Sequence, residues 1–146
     1  MKKLHFSIVI RATRDQVWHG LLDDRTYRIW TAPFCEGSHF QGSWAQGQRI
    51  RFLTPTGDGM FSMIAQNRPG EFLSIQHLGS IVNGVEDTES EQARMWVSGF
   101  ENYTLATVAG GTELRIDLDT PPEYEQFMRD TWPKALAALQ GVCEEG

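Results

Sequence analysis

His77 is the side chain in this sequence best suited to chemistry. It follows Leu73 and Ile75 at two-residue steps, so a strand would set all three on one face. An imidazole among apolar neighbours serves as a proton shuttle or as a donor to a ligand carbonyl, with Tyr103 or Glu101 of a different strand as candidate partner. No second residue at a fixed spacing makes a catalytic pair with His77, and a core histidine with one hydrogen bond accounts for the same pattern. No residue is therefore assigned as catalytic, and a non-catalytic role is expected over an enzymatic one. Glu101, Arg51 and Asp117 would form the polar end of a pocket or face solvent outside the sheet; one residue of register separates the two outcomes.

Other motifs carry less. Cys35, Glu36 and His39 invite a metal, but they lie on an irregular segment with no further ligands, and no metal or other cofactor is expected. Gly57-Asp58-Gly59 has neither the Lys-Ser/Thr nor the following helix of a phosphate loop and suits a hairpin turn instead. Asn102-Tyr103-Thr104 fits the glycosylation pattern by chance, since no secretory signal precedes it: the apolar residues after Met1-Lys2-Lys3 alternate with His5 and Ser7 and stop at Arg11. The two cysteines support no disulfide framework, and a cytoplasmic protein without a membrane span is expected. A formal charge of -6 with no Lys/Arg cluster argues against nucleic acid as a partner.

The elements that must position His77 follow from periodicity. Leu4, Phe6, Ile8 and Ile10 share one face of a first strand over residues 3 to 11. Thr13-Arg14-Asp15-Gln16 is a capping box that opens a short helix with Val17, Trp18, Leu21 and Leu22 inward. Asp23-Asp24 begins a second short helix carrying Tyr27 and Trp30, closed by Pro33. Strands are predicted at Ser38–Trp44, Gln48–Leu53, Met60–Gln66, Phe72–Leu78, Phe100–Val108 and Thr112–Asp119, forming an antiparallel meander with glycine-rich turns. Ser80–Ser98, with the acidic run Glu86 to Glu91, is too long for a routine connection and is the candidate lid. Thr120-Pro121-Pro122-Glu123 predicts a helix start with Thr120 as cap. The apolar stripe from Tyr124 to Val142 then marks a helix of about 24 residues, roughly 36 Å at 1.5 Å per residue, with a kink or break expected near Arg129–Pro133.

This order of elements resembles the START-like (SRPBCC, birch-pollen-allergen-like) superfamily of helix-grip domains. Within it, the chain looks most like the bacterial proteins related to the activator of heat-shock-protein-90 ATPase. The resemblance is carried by Ala12 to Trp18 with Tyr27-Arg28-Ile29-Trp30, Gly42 to Arg51, Arg68-Pro69-Gly70-Glu71-Phe72-Leu73, Tyr103-Thr104-Leu105 through Gly110-Gly111-Thr112-Glu113-Leu114, and Trp132-Pro133-Lys134-Ala135-Leu136-Ala137-Ala138-Leu139. It implies one α+β domain over residues 1–146, with a curved antiparallel sheet of about seven strands around a long C-terminal helix and two short helices after strand one. It further implies a cavity for a small, largely apolar ligand of lipid, polyketide or aromatic type, with a cyclase, dehydratase or hydrolase activity, or a chaperone contact, as rival roles. Pairing of two copies through an edge strand or the outer sheet face is a further expectation.

If strand alternation holds, Phe52, Met63, Ile75, His77 and Tyr103 line that cavity beneath Trp30 and opposite Phe127, Met128 and Trp132 of the long helix. The same residues packed on one another would leave no void. Five methionines and five tryptophans favour the cavity, because thioethers and indoles adapt to irregular ligands.

Overall fold

Strand β1 (Lys2–Ile10) alternates as its apolar pattern requires, with Leu4 and Ile10 fully buried and Val9 exposed. The computed structural model describes residues 1–145. Thr13 then closes the capping box that opens α1 (Arg14–Leu22): the Gln16 amide N–H donates to Thr13 Oγ1 at 3.1 Å, and the Thr13 N–H donates to Gln16 Oε1 at 2.9 Å. Asp23 ends α1 and begins α2 (Asp24–Trp30) without a side-chain cap.

Six strands follow as β2 (His39–Gly42), β3 (Arg49–Leu53), β4 (Gly59–Arg68), β5 (Phe72–Val82), β7 (Phe100–Val108) and β8 (Gly111–Thr120), with a further short strand, β6 (Val85–Asp87), and one helical turn, α3 (Glu91–Arg94), between β5 and β7. All pairings are antiparallel, in the order β1-β8-β7-β5-β4-β3-β2, with β6 on the free length of β5. The sheet thus has eight strands, one more than the periodicity suggested. The extra one lies in Ser80–Ser98, expected to be a loop: β5 runs on to Val82, turns through Asn83 and Gly84 at φ 52° and 79°, and returns as β6. Those two positive φ values are what a two-residue hairpin turn of matching twist demands.

The long helix differs from expectation in two ways. Thr120 does not cap it, because its hydroxyl donates to the Pro121 carbonyl instead; a 3-10 turn at Pro122–Tyr124 intervenes, and α4 runs from Glu125 to Glu145. Pro133 does not break it. The proline removes one N–H from the ladder, yet Thr131, Trp132, Ala135 and Leu136 on either side are all buried against the protein, so packing holds the turn that the missing bond would loosen.

The two halves of α4 do different work. The second half buries Leu139 and Cys143 against α1, where a Cβ on Gly20 would stand only 2.7 Å from Cys143 Sγ. One core joins it to β1, α1, α2 and the inner faces of β5, β7 and β8. The first half, with Phe127 46% exposed and Met128 half-buried, stands off from the sheet. A gap is left beneath it.

Candidate functional site

That gap is a cavity of about 650 Å³, within the range of small-molecule sites. Trp30 from α2, Phe52 from β3, Ile75 and His77 from β5, Tyr103 from β7, and Phe127, Met128 and Trp132 from α4 all line it. Met63 does not. It pairs with Gln76 and Arg49, while its neighbours Ser62 and Ile64 pair with the inward-facing His77 and Ile75, so Met63 belongs to the opposite face of β4. The side chain that β4 offers to the cavity is Met60. Arg51 also faces away, held by Glu86 at 3.0 Å, and Asp117 binds the exposed His5 ring on the outer face.

Glu101 faces inward, which decides between the two outcomes the sequence left open: it precedes Tyr103 by two residues on one strand, so both share the face. The Tyr103 hydroxyl donates to Glu101 Oε2. Glu101 Oε1 lies 4.0 Å from His77 Nε2, outside hydrogen-bond reach, while His77 Nδ1 meets Ser62 Oγ at 2.9 Å. The backbone beside His77 is fixed by the Ser98 and Gly99 segment, whose Ser98 N–H donates to the His77 carbonyl at 3.1 Å, and Ser98 itself has φ 68°.

Burial governs the protonation of this cluster. It lowers the His77 pKa from 6.5 to about 4, with Asp119 acting in the opposite direction, so the imidazole is neutral at pH 7. It raises the Glu101 carboxyl above the usual carboxylate range, partly countered by the Tyr103 hydrogen bond. Burial, then the charge of Glu101, pushes the Tyr103 phenol well up. The same two causes raise Tyr27, against a hydrogen bond with Ser38. Trp132 Nε1, on a side chain only 3% exposed, has no hydrogen-bond partner among the described residues.

Aromatic side chains surround the polar cluster. Trp30 stands edge-on to Tyr103 at 6.5 Å and tilted to Trp132 at 6.0 Å, and its own N–H is satisfied by the Leu21 carbonyl at 3.1 Å. The candidate lid segment contributes Gln92 and Trp96 to the lining, besides Ser80, Ile81 and Val82 at the end of β5; Trp96 lies 5.3 Å from Tyr124 and edge-on to His77 at 6.1 Å. No periodicity marks Trp96, because it follows a single helical turn in an irregular stretch. Cys35 also lines the cavity, but no group of three or more His, Cys, Asp or Glu positioned to hold a metal exists among the described residues. Among the same residues, no helix is long and apolar enough to cross a membrane.

No family model and no curated protein matches the sequence. Solved structures do match in shape. The chain is similar to protein MLL2253 from Mesorhizobium loti, at 14% identity with a TM-score of 0.78 over 99% of this chain and 98% of that one. It is similar to the Aha1 dimer from Colwellia psychrerythraea, at 18% identity with a TM-score of 0.75 over 99% and 97%. It is also similar to the AHSA1-like protein from Aeromonas hydrophila, at 14% identity with a TM-score of 0.69 over 99% and 93%. These likenesses establish the helix-grip fold that the order of elements implied.

Proposed function

We propose that the protein binds a small, largely apolar molecule between the sheet and α4 and carries out no reaction on it. The observation behind this reading is the 650 Å³ cavity, walled by residues such as Trp30, Phe52, Ile75 and the partly exposed Phe127. A ligand of about 25 heavy atoms at roughly −0.3 kcal/mol per atom would bind with about −7.5 kcal/mol, a micromolar Kd. His77, Tyr103 and Glu101 supply the few polar contacts that orient it.

Native mass spectrometry of protein purified from its own source, followed by denaturation and identification of released molecules, tests the proposal. A stoichiometric apolar adduct supports it. Met60→Trp fills the same space, so this variant should fold and carry no adduct; an adduct retained at full occupancy would place the ligand elsewhere.

A second reading has one specific observation in its favour. A neutral imidazole 4.0 Å from a carboxyl with raised pKa is an arrangement that serves acid–base catalysis, as in a cyclase, dehydratase or hydrolase. Turnover of a carbonyl-rich substrate that is lost in His77→Gln would favour this reading over the first. The Aha1 neighbour is a dimer, which supports self-association here as well; a sedimentation mass of one chain at micromolar concentration would refute it.

A further inference from the structure

The cavity is uneven in charge. Among the described residues its lining includes two carboxylates, Asp58 and Glu101, and no lysine or arginine. Arg49 and Arg51, on the strand that carries Phe52, each bind Glu86 at 3.0 Å and are not part of the lining. Asp58 has a backbone partner, accepting the Asn83 N–H at 2.8 Å. Glu101 has only the Tyr103 hydroxyl, and its other oxygen faces an imidazole 4.0 Å away that burial keeps uncharged at pH 7. The carboxylate therefore has no cation beside it. Tyr103, whose hydroxyl binds Glu101, packs with Trp30 and Trp132 at mutual ring distances of 6.0 to 6.5 Å, and all four residues line the cavity. Ring faces attract cations, and a low-dielectric wall magnifies the attraction of a lone carboxylate for one.

On the reading that the cavity binds a small molecule, we infer that it selects a protonated organic amine on an apolar body, its nitrogen seated on Glu101 among Trp30, Tyr103 and Trp132. A ligand with a carboxylate or phosphate head meets the opposite situation. Its charge would be buried beside Glu101 with no lysine or arginine to offset it, so anionic lipids are selected against.

Three probes that share one aromatic body isolate the head group: 2-(1-naphthyl)ethylamine, 2-(1-naphthyl)ethanol and naphthalene-1-acetate, titrated calorimetrically into the full chain at neutral pH. The amine should bind about tenfold tighter than the alcohol, as a desolvated cation–π contact with a charge-assisted hydrogen bond provides, and the acid about tenfold weaker than the alcohol. Glu101→Gln keeps the shape and should bring amine and alcohol to about the same Kd. The wild-type ranking alone decides the matter if that variant does not fold. Acid binding as tight as the alcohol, or an amine with no advantage over it, overturns the charge selection while leaving the binding cavity standing. Failure of all three probes overturns the binding reading and this inference with it.

Discussion

Acidification should destabilise the fold through His77 by an amount that follows from its surroundings. The side chain is 4% exposed, and burial places its pKa near 4 against 6.5 for an ordinary histidine. The folded value lies below the unfolded one, so the unfolded chain takes up this proton first as the pH falls. The histidine's contribution is therefore complete above about pH 7.5, declines between the two pKa values, and is gone below the folded one. One-site linkage puts the loss at about 2 kcal/mol by pH 5 and about 3 kcal/mol below pH 4, a large share of a typical domain's stability. Urea unfolding followed by tryptophan fluorescence, from about pH 8 to about pH 4, measures it when wild type is compared with His77→Gln, because titrations common to both cancel. Glu101 works in the opposite sense: its folded pKa is raised, so its own term grows more favourable as the pH falls. The two groups are 4.0 Å apart, so the comparison is repeated in a Glu101→Gln background. A wild-type-minus-variant difference that stays flat with pH, or rises as the pH falls, refutes the neutral buried imidazole.

Gly79→Ala should cost about 1–3 kcal/mol and speed amide exchange across Val85–Asp87, since the new methyl would sit 2.4 Å from the Asp87 carbonyl and 2.8 Å from the Phe61 ring; unchanged exchange would mean that β6 is not held there. Thr13→Ala removes one arm of the capping box and should lower stability by about 1 kcal/mol, visible as a drop in Tm, and an unmoved Tm would show that the box contributes nothing. Trp96→Ala should accelerate both entry and exit of Nile red in stopped-flow measurements, because it removes the ring that bridges His77 and Tyr124; a weaker Kd with unaltered entry would make Trp96 a wall rather than a lid.

The elements that a single face of apolar residues defines were legible in the chain. β1, α1, β7 and most of α4 each carry one such face, and the capping box at Thr13 formed as its side chains dictate. β4 has apolar residues on both faces: Phe61 packs with Arg49, Leu53 and Ile81 as Met63 turns outward, so composition alone does not reveal the parity of the strand. Two irregularities in its pairing with β5, between Phe61 and Ser62 and between Ile64 and Gln66, displace the register further. The β5–β6 hairpin was masked by acidic residues, although Asn83-Gly84 carries the turn signal in plain view. Pro133 departs from the local rule because tertiary burial outweighs one hydrogen bond, and Thr120 because its hydroxyl bonds the Pro121 carbonyl. The encounter of Glu101 with His77 depends on the β5–β7 register, in which Ile75 stands opposite Glu101, and no spacing along one strand encodes that.

The pairing of β1 with β8 bears on how the chain can fold as it is synthesised. His5 and Asp117, bonded to one another, are 112 positions apart, and every rung of that ladder joins an early residue to a late one. On the ribosome β1 emerges ahead of the other strands, yet it has no strand to pair with until β8 has followed it out. During that interval Leu4, Phe6, Ile8 and Ile10 remain an uncovered apolar edge. The meander from β2 to β7 forms from near neighbours and can assemble in the meantime, so closure of the sheet by β1 is the late, slow event, and the half-built chain is the form most exposed to aggregation.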